Sequence, residues 1–364
     1  MKFTMNTVKL QDMVAKAMKG ASNNKLIPLT NLMAIQLKDH KLTLITTDAT
    51  NFLYIMEDKV AGDDFYVVVQ TDIFSKLIAR LTCENVTMEL VEEKLTITGN
   101  GEYSLELPLD EEGKLIHFPD PINSVAIDII KPITVNLSTV KLILTTAKAA
   151  LATAMDVPCY TGYYVGDKVV STDTYKICGI SIELFPTPRL ISPELMNLLD
   201  VMTTEKIDTY LLDDNVIVFR TDNCAIFGKA MDGLEDYQID AISGLLDQEF
   251  ESSCKIPRDA LLQLLDRLSL FVDVYDKNGI YLTFTKEGLV INSKQSSGSE
   301  LIKYADSKNF HDFIGFIDIE MLYSQVKANS ADIIEIQYGE DNAIKMIDGN
   351  VTQIVALMDE DNMN

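Results

Sequence analysis

Hydrophobic and polar positions along this 364-residue chain alternate in one motif that occurs three times. In Val86–Thr98, Val86, Met88 and Leu90 fall on one face and Thr87 and Glu89 on the other. That period of two predicts a half-buried strand, and a second strand follows after a polar turn. The same hairpin pattern returns at Ile207–Phe219 and at Ile333–Met346. The three first residues stand 121 and 126 positions apart, so the repeating unit is a whole domain.

Helical periodicity repeats in step. Amphipathic stretches at Thr7–Ser22, Leu137–Thr153 and Ile256–Phe271 precede the first strands of each repeat. Others at Gln70–Cys83, Ile191–Thr204 and Ile317–Ser330 precede each hairpin. In the fourth stretch Ile73, Phe74, Leu77, Ile78 and Leu81 recur three and four apart. Thr71-Asp72 and Ser192-Pro193-Glu194 supply helix starts, with proline suited to a first turn. Each repeat therefore reads helix, strands, helix, strands. The predicted fold class is α+β, with three tandem similar domains at 1–122, 123–246 and 247–364.

A hydrophobic content of 47% suffices for ordinary cores. The richest apolar stretch, Val140–Met155, contains Lys141 and Lys148 and reads as a helix, not a membrane span. The opening Met-Lys-Phe-Thr-Met-Asn reads as a strand and not as a signal peptide. Five scattered cysteines without a C-x-x-C pair predict buried free thiols and a reducing, cytoplasmic setting.

The net charge of −24 is unevenly spread. Formal charges in the six helical stretches sum to +2, which leaves −26 for the remainder. A near-neutral to basic helix set inside an acidic shell suits one face turned to a polyanion and an exterior that repels it. Catalytic signatures are missing. His40, His117 and His311 lie far apart, without ligand spacing. No phosphate loop, dinucleotide fingerprint or nucleophile elbow occurs. Glu92-Glu93 and Asp213-Asp214 fall at the same point of two hairpins, where turn chemistry accounts for them. The terminal Asp359-Glu360-Asp361 reads as a solvated tail. The chain is expected to be no enzyme and to need no cofactor or metal.

With these features the chain resembles the bacterial sliding clamps, the beta subunits of DNA polymerase III, over essentially its whole length. The resemblance rests on the triple repeat, the Met1-Lys-Phe-Thr start, Leu42–Asp48, Tyr103–Pro108 and Phe118-Pro119. Its most specific element is Ser171–Ile177, which is similar to the family's Thr-Asp-x-His-Arg-Leu segment at a partner-binding pocket. The resemblance implies a head-to-tail dimeric ring whose helices line a hole for duplex DNA and whose strands form the outside. It implies tethering of a DNA polymerase, a clamp loader and other clamp-binding-motif proteins, with no membrane contact. DNA-facing candidates are then Lys16, Lys19, Lys25, Lys76, Arg80, Lys141, Lys148, Arg258, Arg267 and Lys327. The implied dimer interface sets Tyr103 and Leu105 against Leu270 and Phe271 of the other copy. The implied peptide pocket takes Tyr160, Thr172, Thr174, Tyr175, Lys176 and Ile177 from the second domain and Ile239 from the domain junction. Ala343, Ile354, Ala356, Leu357 and Met358 come from the third.

Three departures stand out. Thr174-Tyr175-Lys176 replaces the family's Gly/Ser-His-Arg, Glu235 replaces a common proline, and the C-terminus carries an acidic tail in place of a Met/Leu-Pro-x-Arg end. Lysine lacks the planar fork of arginine, so co-adapted partners of a divergent or mobile-element replisome are expected. A clamp-like scaffold or decoy that binds replisome proteins without encircling DNA is the alternative.

Overall fold

The computed structural model describes residues 1–22, 24, 26–91, 93–154, 156–273, 278–294, 297–339 and 342–359. The first third runs β1 (Lys2–Asn6), α1 (Thr7–Ala17), β2 (Leu32–Lys38), β3 (Lys41–Thr47), β4 (Phe52–Glu57), β5 (Phe65–Gln70), α2 (Thr71–Ala79), β6 (Asn85–Val91), β7 (Lys94–Thr98) and β8 (Glu102–Glu106). The middle third runs β9 (Ile133–Asn136), α3 (Leu137–Thr146), β10 (Tyr163–Val165), β11 (Val169–Thr172), β12 (Lys176–Ile180), β13 (Arg189–Ile191), α4 (Pro193–Leu199), β14 (Lys206–Leu211), β15 (Val216–Arg220) and β16 (Cys224–Lys229). After α5 (Ile239–Asp247) the last third runs β17 (Ser252–Pro257), α6 (Arg258–Leu268), β18 (Gly279–Thr285), β19 (Gly288–Ser293), β20 (Ser299–Ile302), β21 (Asp306–Lys308), β22 (Phe313–Asp318), α7 (Ile319–Ala328), β23 (Ile333–Tyr338), β24 (Ala343–Asp348) and β25 (Val351–Ala356). One succession is thus written three times, and α5 and β21 are additions to it.

The chain divides into two compact units, Met1–Val140 with Glu194–Ala230, and Lys141–Pro193 with Met231–Asn364. In the first unit, an eight-stranded antiparallel sheet runs β5-β2-β3-β4-β16-β15-β14-β9, and a four-stranded one runs β1-β6-β7-β8. β4 of the first third pairs with β16 of the middle third, Phe52 opposite Phe227 and Ile55 opposite Cys224. The Asn6 side chain caps α1, accepting from the Val8 and Lys9 amides. Leu10, Met13, Val14 and Ala17 on α1 are buried. Where the helix ends, a Cβ on Gly20 would lie 2.6 Å from the Leu53 Cβ, so the sheet approaches too closely for any larger residue.

In the second unit, a nine-stranded sheet runs β13-β10-β11-β12-β25-β24-β23-β17-β21, and a four-stranded one runs β20-β19-β18-β22. β12 of the middle third pairs with β25 of the last, Ile177 opposite Ile354. Leu261, Leu264, Leu265 and Leu268 of α6 bury against Ile280, Phe284 and Tyr338. The Asp318 carboxylate caps α7 through the Glu320 and Met321 amides.

The six predicted helices form, but three finish as 3-10 turns at Met18–Gly20, Ala147–Ala150 and Ser269–Phe271. The helix α5 goes beyond the predicted elements. Asp214 and Asn215 adopt left-handed φ of 56° and 60° in the β14–β15 turn, a conformation their short polar side chains favour. Glu92, its counterpart in the first hairpin, and residues 360–364 of the tail lie outside the described residues. Cys159, Cys178, Cys224 and Cys254 are buried free thiols, and Cys83 is half-buried. Among the described residues no helix is long and apolar enough to cross a membrane.

Candidate functional site

Three surfaces carry the predicted site residues. The first is the set of helix cations. Lys19, Arg80, Lys141 and Lys148 are exposed on or just after α1, α2 and α3 and form no ion pair among the described residues. Lys327 is exposed on α7, its Nζ 5.8 Å from the centre of the Tyr323 ring. Lys16 and Lys76 pair with Asp12 and Asp72 one turn earlier, at 2.6 and 2.5 Å. Such exposed pairs break at little cost. The two arginines of α6 are engaged otherwise. Arg258 donates to the Val326 and Lys327 carbonyls at the end of α7. Arg267 makes a two-pronged ion pair with Glu300 of β20 at 2.8 and 2.5 Å, which holds the Glu300 carboxyl below its ordinary range. Lys25 lies outside the described residues.

The second surface lies over the β12–β25 pairing. Tyr160, Ile177 and Ile354 are buried in one cluster, with Ile239 and Ala343 packed against it. Thr172 Oγ1 donates to the Lys176 carbonyl and accepts from the Thr174 amide. This closes the β11–β12 turn, in which Thr174 adopts a φ of 78°. The turn presents Tyr175, 61% exposed, to solvent. The Tyr175 carbonyl accepts from the Ala356 amide at 2.8 Å, so the turn lies against the end of β25. Leu357 and Met358 continue from there, anchored through their amides to the Asn342 and Phe316 carbonyls. Lys176 points inward, its Nζ 2.8 Å from the Ala149 carbonyl and 3.2 Å from Asp173.

Four residues central to this cluster carry no mark in the sequence pattern: Tyr164, Tyr237, Ile242 and Leu246. Tyr237 stacks edge-on to Tyr160 at 5.1 Å and donates to the Val170 carbonyl, and burial raises its phenol above the ordinary range. Ile242 and Leu246 come from α5, whose second half is held by a buried lysine. Lys345 Nζ of β24 donates to the Leu246 and Gln248 carbonyls at 2.7 and 2.8 Å, and desolvation lowers its pKa. A Cβ on Gly179 of β12 would lie 2.6 Å from Leu246, so glycine there admits the helix. In the sequence only Glu235 and Ile239 of this roofing segment stand out.

The third surface comprises the ends of the two four-stranded sheets. β8, with Tyr103 and Leu105, ends one, and β20 ends the other. Leu270 and Phe271 follow α6 and are 80% and 49% exposed, beside a cavity of about 270 Å³. Ile73 on α2 and Leu301 on β20 are also exposed, although nothing in their sequence surroundings sets them apart from core residues.

Residues 1–112 match the family described as DNA polymerase III beta subunit, N-terminal domain. The Beta sliding clamp of Bacillus subtilis (strain 168) is 23% identical to this chain, with 74% of each covered. The crystal structure of the DNA polymerase sliding clamp from Bacillus subtilis superposes with a TM-score of 0.84, 19% identity and 99% of both chains covered. That of the beta subunit from Streptococcus pyogenes gives 0.84 and 16%, covering 98% of this chain and 100% of the other. The fold is therefore that of the DNA sliding clamps, three similar α+β domains in tandem. Within that class the chain is similar to the bacterial DNA polymerase III beta subunits, through the family match over residues 1–112 and the Bacillus subtilis clamp.

Proposed function

We propose that this chain is a DNA sliding clamp, a non-enzymatic processivity factor that closes as a head-to-tail dimeric ring around duplex DNA. Its three clamp domains would span 1–122, 123–246 and 247–364. The observation that carries the reading is that three repeats offer three strand-to-strand junctions and the chain uses two. β4 joins β16, and β12 joins β25. The equivalents of these partners in the remaining junction are β20 and β8, the ends of the two four-stranded sheets. Joined between copies, they make an eight-stranded sheet, β22-β18-β19-β20-β8-β7-β6-β1, in the order of the one within the first unit. Unpaired strand edges of this kind need a partner or protection.

Helix positions support the same closure. Ile73, Leu195 and Met321 are the third residues of α2, α4 and α7. Leu195, at a junction the chain closes, is fully buried, Met321 is partly buried, and Ile73 is 53% exposed. In the second unit, the 3-10 turn after α3 packs on α7. By the repeat, Leu270 and Phe271 would pack on α2 of the other copy and cover Ile73. Registers carried over from β4–β16 and β12–β25 set Glu102 opposite Ser299 and Tyr103 opposite Gly298.

The exposed lysines and Arg80 supply phosphate contacts that need no base readout, as sliding requires. The groove bounded by Tyr175, Leu357, Met358 and α5 suits an extended apolar peptide of a polymerase, a clamp loader or another replication protein. Glu102→Cys with Ser299→Cys tests the ring: mild oxidation should give a covalent dimer on a non-reducing gel. Monomer only, with both thiols titratable, would reject the closure.

A further inference from the structure

The first junction carries a cavity with the same place in the repeat as the peptide groove but with different chemistry. The outer face of the β4–β16 pairing is roofed by residues 116–127. Phe118 packs edge-on to Phe52 at 6.4 Å, and its amide donates to Tyr66 Oη at 2.9 Å. Tyr54 Oη donates to Asp120 at 3.1 Å and accepts from the Ile122 amide at 3.4 Å. In register, Tyr54 with Ala225 corresponds to Gly179 with Thr352 at the second junction. There Leu246 of α5 fills the space over Gly179. Here the roof holds only short 3-10 turns at Pro121–Ser124 and Ile127–Ile129. A cavity of about 360 Å³ stays open, walled by Tyr54, Met56, Ile122, Val125 and Ala225. Its volume falls in the range of small-ligand sites, roughly 300–1,000 Å³.

One cation lines it. Arg220 of β15 is exposed, and its guanidinium has no hydrogen-bond or ion-pair partner among the described residues. Asp208, its cross-strand neighbour, makes no ion pair with it. Asp120, close by, already accepts from Tyr54 and from Asn123 Nδ2 at 2.6 Å. The cavity thus offers apolar walls and one unspent guanidinium, which matches an apolar side chain followed by a carboxylate.

We propose that this cavity is a second docking site, for an extended peptide of a protein partner that carries an apolar residue next to an aspartate or glutamate. The comparison with the second junction rests on the reading of that groove as a peptide site. The test uses the full-length protein and a synthetic pentapeptide with leucine, photoreactive benzoylphenylalanine and aspartate in succession. Cross-links mapped by mass spectrometry should fall on residues 54–56 and 122–127. Labelling there should drop at least ten-fold in Arg220→Glu, drop less in Arg220→Gln, and persist in Tyr175→Ala. Unchanged near-UV circular dichroism would show that the variants fold. Cross-links confined to 174–177 and 354–358 would overturn the second site and leave the groove reading intact. Labelling at 54–56 equal in Arg220→Glu and the parent, or no labelling anywhere, would also overturn it.

Discussion

Ile73, Leu195 and Met321 are apolar residues at one position of the repeat, and their surroundings differ only through the neighbours that the tertiary fold brings to them. Leu195 lies against Gly228, where an added Cβ would come within 2.5 Å of it, whereas Ile73 is half open to solvent. Sequence periodicity marks all three alike, because the neighbour that buries the position is not local. Leu195→Asp should destabilise the protein severely, by roughly 3 kcal/mol or more, since it buries a charge without a partner. Ile73→Asp should leave the urea midpoint of the isolated protomer within experimental error and weaken dimerisation. Equilibrium unfolding and sedimentation together check the pair. The thiols behave similarly: their burial was legible, their order of reactivity was not. Burial pushes Cys178, Cys224 and Cys254 from 9.0 up to about 12. Their contribution to stability is complete below the ordinary thiol range and is lost as pH rises through that range toward 12. A thiol reagent at pH 8 should therefore label Cys83 first and the buried cysteines only on unfolding, as a peptide map of the modified protein would record.

At the scale of elements, the repeated helices and hairpins were readable because each carries its own hydrophobic period. The helix α5 was not, because what stabilises it comes from far along the chain. Its C-terminal carbonyls are satisfied by Lys345 of β24, and its apolar face finds Gly179, Ile177 and Ile354 on β12 and β25. Lys345→Met should remove both bonds to orphan carbonyls, cost about 1–3 kcal/mol, and lower amide-exchange protection around residues 243–248. Unchanged exchange there would show that α5 is held by packing alone. For the same reason only part of the proposed peptide groove was legible. Ile177 and Ile354 announce themselves as strand residues, while Tyr164, Tyr237 and Leu246 join them only through the tertiary fold. The ends of the four-stranded sheets give the element-scale prediction for assembly. Leu270→Asp with Phe271→Asp should raise the dimer dissociation constant by at least about 100-fold, since each apolar side chain contributes about 1.5–3 kcal/mol when buried. Sedimentation equilibrium reads this directly.

At the scale of the whole molecule, a net charge of −24 and the proposed encirclement of DNA are reconciled by where the cations sit. Lys19, Arg80, Lys141 and Lys148 are exposed on or just after helices and form no ion pair among the described residues, and the acidic excess lies elsewhere. Replacing these four by alanine should leave the dimer intact and lower the salt dependence of DNA association by roughly 0.9 for each phosphate no longer neutralised. The threefold repeat was visible in the sequence. That compact units would divide the middle repeat was not, because strand pairing joins its halves to different neighbours. The central claim is topological linkage, and retention on DNA tests it most directly. The protein, loaded by its cognate loader onto a nicked circular plasmid and passed over a gel-filtration column, should co-elute with the circle and be lost when the plasmid is linearised. A stable dimer that the cognate loader cannot place on the circle, or one that stays bound after linearisation, would contradict the account.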